Sequence, residues 1–367
     1  MLVLGVHLRD FRSYARAQAQ FGPGLTVVHG PNGAGKSNLL EGLYFGCTGY
    51  SQRTRNEREL VRFGAQATRV VVDLSEGALR HELAVGFQPG SPKRMTADGA
   101  TVERLADVRE RPLVSVFSPD RLELLKGAPT LRRAHLDQLV AALWPARVAT
   151  RRDYSRALVQ RNALIAGIRA GRASQSTLPS WDSELGRHAL ELSRDRAALV
   201  ALLAEPFAQR AQQLGLSGEP RLEYRPRSKV SDVEGFVAQL RAQLPTDLNR
   251  GFSTYGPHRD ELAILRDGRE LRSFGSQGEQ RLALLALLLA ERFVLARERT
   301  HVPLMLLDDV MSELDVTRRE LLSAELQSVG QSVIATTDLA HVPGSGDGSV
   351  TRLRVSPGAI LGEALAA

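Results

Sequence analysis

The stretch "LTVVHGPNGAGKSNLLEGLYF", which begins at Leu25, constrains this chain more than any other. Leu25, Thr26, Val27 and Val28 read as a short buried strand. Gly30, Gly35, Lys36 and Ser37 follow at P-loop spacing, and Leu39, Leu40, Leu43 and Tyr44 continue at helical spacing as core positions. Each residue type has a task in such a loop. Glycines let backbone amides curl around a phosphate. A lysine reaches the β and γ phosphates, and a serine hydroxyl reaches magnesium. The first helical turn adds its positive end. The reading assigns Gly30, Pro31, Asn32, Gly33, Ala34, Gly35, Lys36, Ser37 and Asn38 to nucleotide binding, with ATP and Mg2+ as the expected ligands. Cys47 is expected as a buried, inert thiol just beyond the helix.

A second centre lies in "VPLMLLDDVMSELD", from Val302. Leu304 to Leu307 is a continuous apolar run, as in a strand buried on both faces. Asp308 at its end is placed to hold the metal together with Ser37, directly or through water. Asp309 points elsewhere and is assigned to activating or positioning the attacking water. "SVIATTD", Ser332 to Asp338, is a third strand candidate with a polar end, where parallel sheets collect ligands. In "FGSQGEQRLALLALLLAERF", Ser276 opens an apolar helix anchored by Leu282, Leu284, Leu285 and Leu288. Taken alone, it is a helix cap.

These pieces together resemble the ABC-type ATPase head. By that resemblance, Ser276, Gln277 and Gly278 are the signature motif, which binds the γ phosphate from the opposite subunit of a head-to-tail dimer. Several blocks narrow the match to the RecF family of recombination mediators. They are "LRDFRSY" (Leu8 to Tyr14), "FSPDRLELLKGAPTLRRAHLD" (Phe117 to Asp137), "YGPHRDE" (Tyr255 to Glu261) and "LLDDVMSELD". The resemblance implies an α/β ATPase head with a P-loop and a mixed sheet, interrupted by a compact helical arm. Lys36, Asp308, Asp309 and Ser276 would carry catalysis, and Asp315 would lie in a D-loop near the dimer interface. It further implies weak, DNA-stimulated ATP hydrolysis, an ATP-dependent homodimer, and binding to double-stranded or gapped DNA. RecR and RecO are the implied partners in loading the RecA recombinase, with roles in DNA replication and the SOS response. Two positions depart from the transporter-type pattern: Asp309 stands where a glutamate is usual, and Thr337 near the place of the switch histidine. No glutamine stands in "FSPDR".

The expected boundaries are 1–128 for the first part of the head, 129–245 for the arm and 246–367 for the rest of the head. Between the P-loop helix and the arm, "TRVVVDL" and "RHELAVGF" read as a hairpin turning at Gly77, and "PGSPKRMTADG" as a loop. The arm reads as helices broken near Pro145, at Gly167–Ser180 and at Gly215–Pro220, with no sustained heptads. The net charge is +7, and residues 130–230 carry 17 basic against 9 acidic side chains. That window therefore holds the whole basic surplus. Arg151, Arg152, Arg156, Arg169 and Arg172 are candidate phosphate contacts, as are Arg53, Arg55, Arg58 and Arg62 before the hairpin. Pro257-His258-Arg259-Asp260 reads as a polar turn with either a structural or an interface role.

One cysteine excludes an intrachain disulfide and a cysteine zinc cluster. The early His7, Arg9 and Asp10 interrupt any leader-like run, and Leu282–Ala290 is too short for a membrane span, so a cytoplasmic, nucleoid-associated protein with no membrane partner is expected. The rival reading is the ATPase subunit of an ABC transporter, which shares the head. A chromosome-condensing protein with long coiled-coil arms is disfavoured by length.

Overall fold

The computed structural model describes residues 1–299 and 302–363, with the side chains of Pro119 and Asp120 left aside. The tail "PGAILGEALAA" reads in the sequence as a final strand edge followed by a fraying end, and its last four residues, 364–367, lie outside the described residues. The chain opens with β1 (Leu2–Phe11), β2 (Tyr14–Gln20), β3 (Leu25–His29) and α1 (Lys36–Thr48). β4 (Thr68–Glu76), β5 (Leu79–Phe87), β6 (Arg94–Ala97), β7 (Ala100–Val102) and β8 (Val114–Phe117) follow. Then come α2 (Glu123–Lys126), α3 (Pro129–Leu143), α4 (Val148–Arg169), α5 (Leu178–Gln213), β9 (Pro220–Arg225) and α6 (Val233–Arg250). β10 (Glu261–Arg266), β11 (Arg269–Glu270), α7 (Leu271–Phe274) and α8 (Gln277–Glu298) lead to β12 (Leu304–Asp308), α9 (Val316–Ser328), β13 (Ser332–Thr336), β14 (Thr351–Ser356) and β15 (Ala359–Glu363). The elements pack as two compact units, Met1–Arg121 with Leu295–Ala367, and Leu122–Val294.

The first unit holds two sheets. One runs β15-β14-β3-β13-β12-β8, parallel throughout except at the β14–β15 edge. Its central strands are the apolar runs at Leu25, Leu304 and Ser332, buried on both faces as such runs require. The other is antiparallel, in the order β2-β1-β4-β5-β6-β7. α1 packs against strands of both sheets, and one apolar cluster joins Leu8 and Val72 of the antiparallel sheet, Leu39 and Leu43 of α1, and Leu306 and Val333 of the parallel sheet. The close approach depends on two small residues one turn apart. A Cβ on Gly46 would sit 2.4 Å from Val72 Cγ2, and one on Gly42 would sit 2.7 Å from Leu8 Cδ2.

Three local expectations change, and one strand is added. Cys47 lies within the last turn of α1 and not beyond it; it is fully buried, and burial pushes its thiol up to about 12. The loop expected at "PGSPKRMTADG" forms β6 in its second half, because Asp98 and Gly99, both left-handed, make a tight turn into β7. β8, an edge strand paired to β12, ends at Phe117, where a family block begins, and has no counterpart in the sequence reading. The arm is not helical throughout, because the break at Gly215–Pro220 ends in β9, which pairs with β10.

In the second unit, α4, α5 and α6 pack on one another around Tyr154, Leu185, Leu192, Phe236 and Leu240, beside the short sheet β11-β10-β9. The 36-residue α5 continues through Pro206. Among the described residues, no helix is long and apolar enough to cross a membrane.

Gly46→Val tests the seating of α1. Its methyls would meet Val70 and Val72 with no room to turn aside, and overpacking of this kind costs about 1–3 kcal/mol. The urea midpoint should fall accordingly, while a valine at Gly362 in the edge strand β15, where a Cβ meets nothing within 4 Å and the backbone is not left-handed, meets no such wall.

Candidate nucleotide site

β3 delivers the chain into the loop at His29, and α1 begins at Lys36. Two loop positions admit only glycine. Gly30 has φ 154° and a Cβ there would stand 2.2 Å from Val355 O; Gly35 has φ 114° and a Cβ would stand 2.7 Å from Tyr14 Oη. Tyr14 Oη donates to Gly35 O at 3.0 Å, bracing the loop from β2. Pro31, Asn32 and Gly33 are exposed at the mouth, and Ala34 is buried beneath them. Lys36 Nζ donates to Gly30 O at 2.7 Å and to Pro31 O at 3.0 Å, so the ammonium sits inside the loop. Burial lowers its pKa, against the opposing pull of the Asp309 and Asp308 carboxylates.

The parallel register carries β12 alongside β13, with Asp308 opposite Ala335, and β13 alongside β3, with Ala335 opposite Val28. Asp308 therefore emerges at the level where the P-loop begins. Ser37 Oγ donates to Asp308 Oδ1 at 3.0 Å. Burial raises the Asp308 pKa, while the Ser37 hydrogen bond and the charge of Arg53 favour its ionised form. Asp309 turns aside in a left-handed conformation, φ 51°, unusual for a residue with a side chain. Its Oδ1 is buried and has no hydrogen-bond partner. Thr337 and Asp338 follow the end of β13; Thr336 Oγ1 donates to Asp338 O at 2.9 Å, and Asp338 caps the turn that comes next. Asp315 accepts from Arg318 N at 2.9 Å and caps α9.

One residue of this region carries no sign of its role in the sequence. Glu41, in α1, is fully buried and accepts a two-pronged bond from Arg12 at 2.9 and 2.7 Å. Ser51 Oγ and Arg53 Nη1 bond to it as well, at 2.6 and 3.2 Å. Arg53 also reaches Asn38 Oδ1 at 3.0 Å, and Asn38 Nδ2 reaches Ser13 Oγ at 3.0 Å. Glu41 thus fastens two arginines over the start of α1. A glutamate one residue past a leucine pair gives no local signal that it is buried.

In the second unit, Ser276, Gln277 and Gly278 are exposed at the start of α8. Ser276 Oγ accepts from Glu279 N at 3.3 Å, and Ser276 N donates to Glu279 Oε2 at 2.8 Å, a reciprocal capping box. Leu282, Leu284, Leu285 and Leu288 are buried behind it. A Cβ on Gly278 would meet nothing within 4 Å.

The ends of two sequence blocks, at 132–137 and 255–261, meet in this unit through buried ion pairs. Arg132 forks onto Glu261 at 2.6 and 2.9 Å, and Arg196 forks onto Asp137 at 2.8 and 3.1 Å and reaches Pro257 O at 2.8 Å. Tyr224 Oη and Arg227 N both bond to the Asp260 carboxylate. His258 bonds Tyr154 Oη at 2.6 Å and Ser253 O at 2.9 Å, and burial holds its pKa down at about 4. The polar turn therefore has internal partners for each of these groups. Of the candidate phosphate contacts in the arm, Arg151 pairs with Asp137 and Arg152 with Asp153, while Arg156, Arg169 and Arg172 are exposed and make no ion pair among the described residues. Arg53 and Arg62 are held by Glu41 and Asp10.

A P-loop at the end of a central parallel strand, with a serine bonded to the aspartate that ends the next strand but one and long helices inserted in the chain, defines a head-type ATPase fold of the SMC/RecF class. An SMC head bound to the C-terminal winged-helix domain of ScpA shares that fold, with a TM-score of 0.62 at 16% identity over 100% of this chain and 98% of that one. The family described as the RecF/RecN/SMC N terminal domain matches residues 3–342. A DNA replication and repair protein RecF of Streptomyces avermitilis is 36% identical over 380 residues, covering 98% of this chain and 99% of that protein. The RecF of Myxococcus xanthus is 36% identical over 357 residues, covering 94% and 93%. Among solved structures, the recombination mediator protein RecF of the RecFOR pathway, as RecF-ATP, superposes with a TM-score of 0.87 at 26% identity, over 99% of this chain and 97% of that one. Its RecF-ATPrS form gives 0.84. The chain belongs to the RecF family.

The buried His258 gives a pH test. Its folded pKa of about 4 lies below the ordinary value of 6.5, so the unfolded chain binds the proton first. The stability it confers is complete above pH 6.5 and is lost as pH falls toward 4. Urea midpoints of His258→Gln should fall less than those of the parent chain over that window, and parallel loss in both would refute the buried neutral histidine.

Proposed function

We propose that this protein is an ATP-driven clamp on duplex or gapped DNA that helps load the RecA recombinase during recombinational repair. The observation that carries the reading is the hydrogen bond from Ser37 to Asp308, which joins the P-loop to the acidic end of β12. The similar solved RecF chains, described as RecF-ATP and RecF-ATPrS, support ATP as the nucleotide. RecR and RecO are the proposed partners, in keeping with the RecFOR pathway to which those chains are ascribed.

Gly30, Pro31, Asn32, Gly33, Ala34, Gly35, Lys36, Ser37 and Asn38 would receive the triphosphate. The Lys36 ammonium would exchange two loop carbonyls for phosphate oxygens, a stronger, charge-assisted pairing. The Ser37 hydroxyl and the Asp308 carboxylate, 3.0 Å apart, are hard oxygen donors of the kind magnesium takes. Magnesium, when bound, offsets charge on the β and γ phosphate oxygens. Asp309, with its buried and unpartnered Oδ1, is the group to orient the attacking water and accept its proton. An aspartate reaches one methylene less far than a glutamate, which fits weak, DNA-stimulated turnover.

Ser276, Gln277 and Gly278 would complete the site of a second copy. Nothing within the chain requires Gly278 to lack a side chain, although glycine in a helix costs up to ~1 kcal/mol. A phosphate approaching from another subunit supplies the missing reason, and Asp315 would lie near that same interface.

Mass in solution tests the clamp. With ATP and Mg2+ the protein should double in mass, and Ser276→Arg should abolish doubling while leaving ATP bound. A mass indifferent to ATP refutes it. Lys36→Ala should lower ATP affinity by at least about tenfold, as expected when a charged hydrogen bond of ~1.5–3 kcal/mol is removed, measured by titration calorimetry.

A further inference from the structure

Four arginines form one row across the antiparallel sheet. The register sets Arg16 opposite Arg9, Arg9 opposite Arg69, Arg69 opposite Gly86 and Gly86 opposite Arg94. Directly opposed residues share a face, so the row crosses five neighbouring strands on one side. The alternate positions Leu8, Val70 and Val72 are buried in the core with α1, while Arg9, Arg16, Arg69 and Arg94 are all exposed. At ~4.8 Å between strands the row is about 19 Å long.

None of the four guanidinium groups makes an ion pair among the described residues. Arg12, Arg53 and Arg62, nearby in the same unit, are each held by a carboxylate. Like charges directly opposite one another destabilise a sheet. Here three arginines stand side by side with no carboxylate between them. Gly86 is the second observation. A Cβ there would meet only Arg94 O, at 3.9 Å, and its backbone is not left-handed, so neither space nor conformation demands glycine. A glycine inside a strand marks a place where another backbone comes close.

We propose that this row seats the phosphate backbone of duplex DNA, with Gly86 leaving the gap through which the backbone passes. The proposal rests on the DNA-clamp reading and assigns it a surface. A line of charges about 19 Å long suits a polyanion better than a single phosphate, since a duplex offers one charge per ~1.7 Å of axis. Nothing in the row reads bases: it contributes affinity and registers position.

The test uses the full chain with ATP and Mg2+ and a labelled duplex, titrated at several salt concentrations. Arg9→Gln combined with Arg69→Gln should weaken binding at least about tenfold. It should also flatten the dependence of log K on log salt by about 0.9 for each phosphate that is no longer neutralised. The weakening should be the same on unrelated sequences. Gly86→Glu, which removes no arginine and meets no wall, should weaken binding too. Melting temperature without DNA should hold or rise in the double variant, because a like-charge opposition is relieved. Parent-like affinity and salt dependence in both variants, with the parent binding DNA, overturns the row as a DNA seat and leaves the clamp standing. An unchanged duplex affinity with failed capture of an acidic protein assigns the row to a protein partner and likewise overturns it. A parent chain that binds no duplex overturns the clamp, and the row with it.

Discussion

The seating of α1 between two sheets is the constraint on which the nucleotide site depends. Ser37 and Asp308 are 271 residues apart, and one hydrogen bond joins them. A bond to a carboxylate contributes only ~1.5–3 kcal/mol, too little to hold two distant segments together. The core fixes their distance instead. Gly42 and Gly46 let the helix lie against Leu8 and Val72, and the parallel register of β3, β13 and β12 brings Asp308 to the loop. Glu41 adds an electrostatic clamp within the same helix. Its burial would be costly alone, but Arg12, Ser51 and Arg53 satisfy it. The site is therefore a consequence of packing, and the polar contacts refine what packing has already placed.

That division explains what the sequence could and could not disclose. Local signals survive because they are covalent neighbours. The glycines at 30 and 35 are forced by backbone angle and by contact with Val355 and Tyr14, and the motif spacing announces them. The runs at Leu25, Leu304 and Ser332 read as buried strands because parallel strands are apolar on both faces. Ser276 reads as a helix cap, and its reciprocal bond with Glu279 is that cap. Pairings between distant segments leave no such trace. β8 and β9 are short, and their partners are far away in sequence. The arginine row exists only once register is known, since Arg9, Arg69 and Arg94 share no local pattern.

Charge counting shows the same limit in a sharper form. The arm's basic surplus is a count over 130–230, yet the carboxylates that neutralise its buried arginines lie partly outside that window. Arg161 is fully buried against Asp182 and Asp247, Arg196 against Asp137 and Asp260, and Arg132 against Glu261. Asp247, Asp260 and Glu261 come from the far side of β9. These arginines tie the arm's helices to the β10 segment and offer nothing to a partner. A guanidinium is available to DNA only if the fold leaves it uncommitted, and net charge cannot tell the two states apart.

Commitment, applied residue by residue, separates the structural arginines from those still able to act. It also separates two kinds of acidic residue. Asp260 and Asp137 have every carboxylate oxygen engaged by arginine, tyrosine or backbone. Asp309 keeps a buried oxygen with no partner and a left-handed backbone that ordinary side chains avoid. Unsatisfied buried oxygens cost about 1–3 kcal/mol, and such backbone strain adds to that cost. A fold that commits arginines freely to Asp260, yet leaves Asp309 bare beside the P-loop, retains that cost where a ligand would relieve it. The same reasoning applies to Gly278, whose missing side chain has no internal cause. Both features fit the proposed function, in which a nucleotide meets Asp309 and a second subunit's nucleotide meets Gly278.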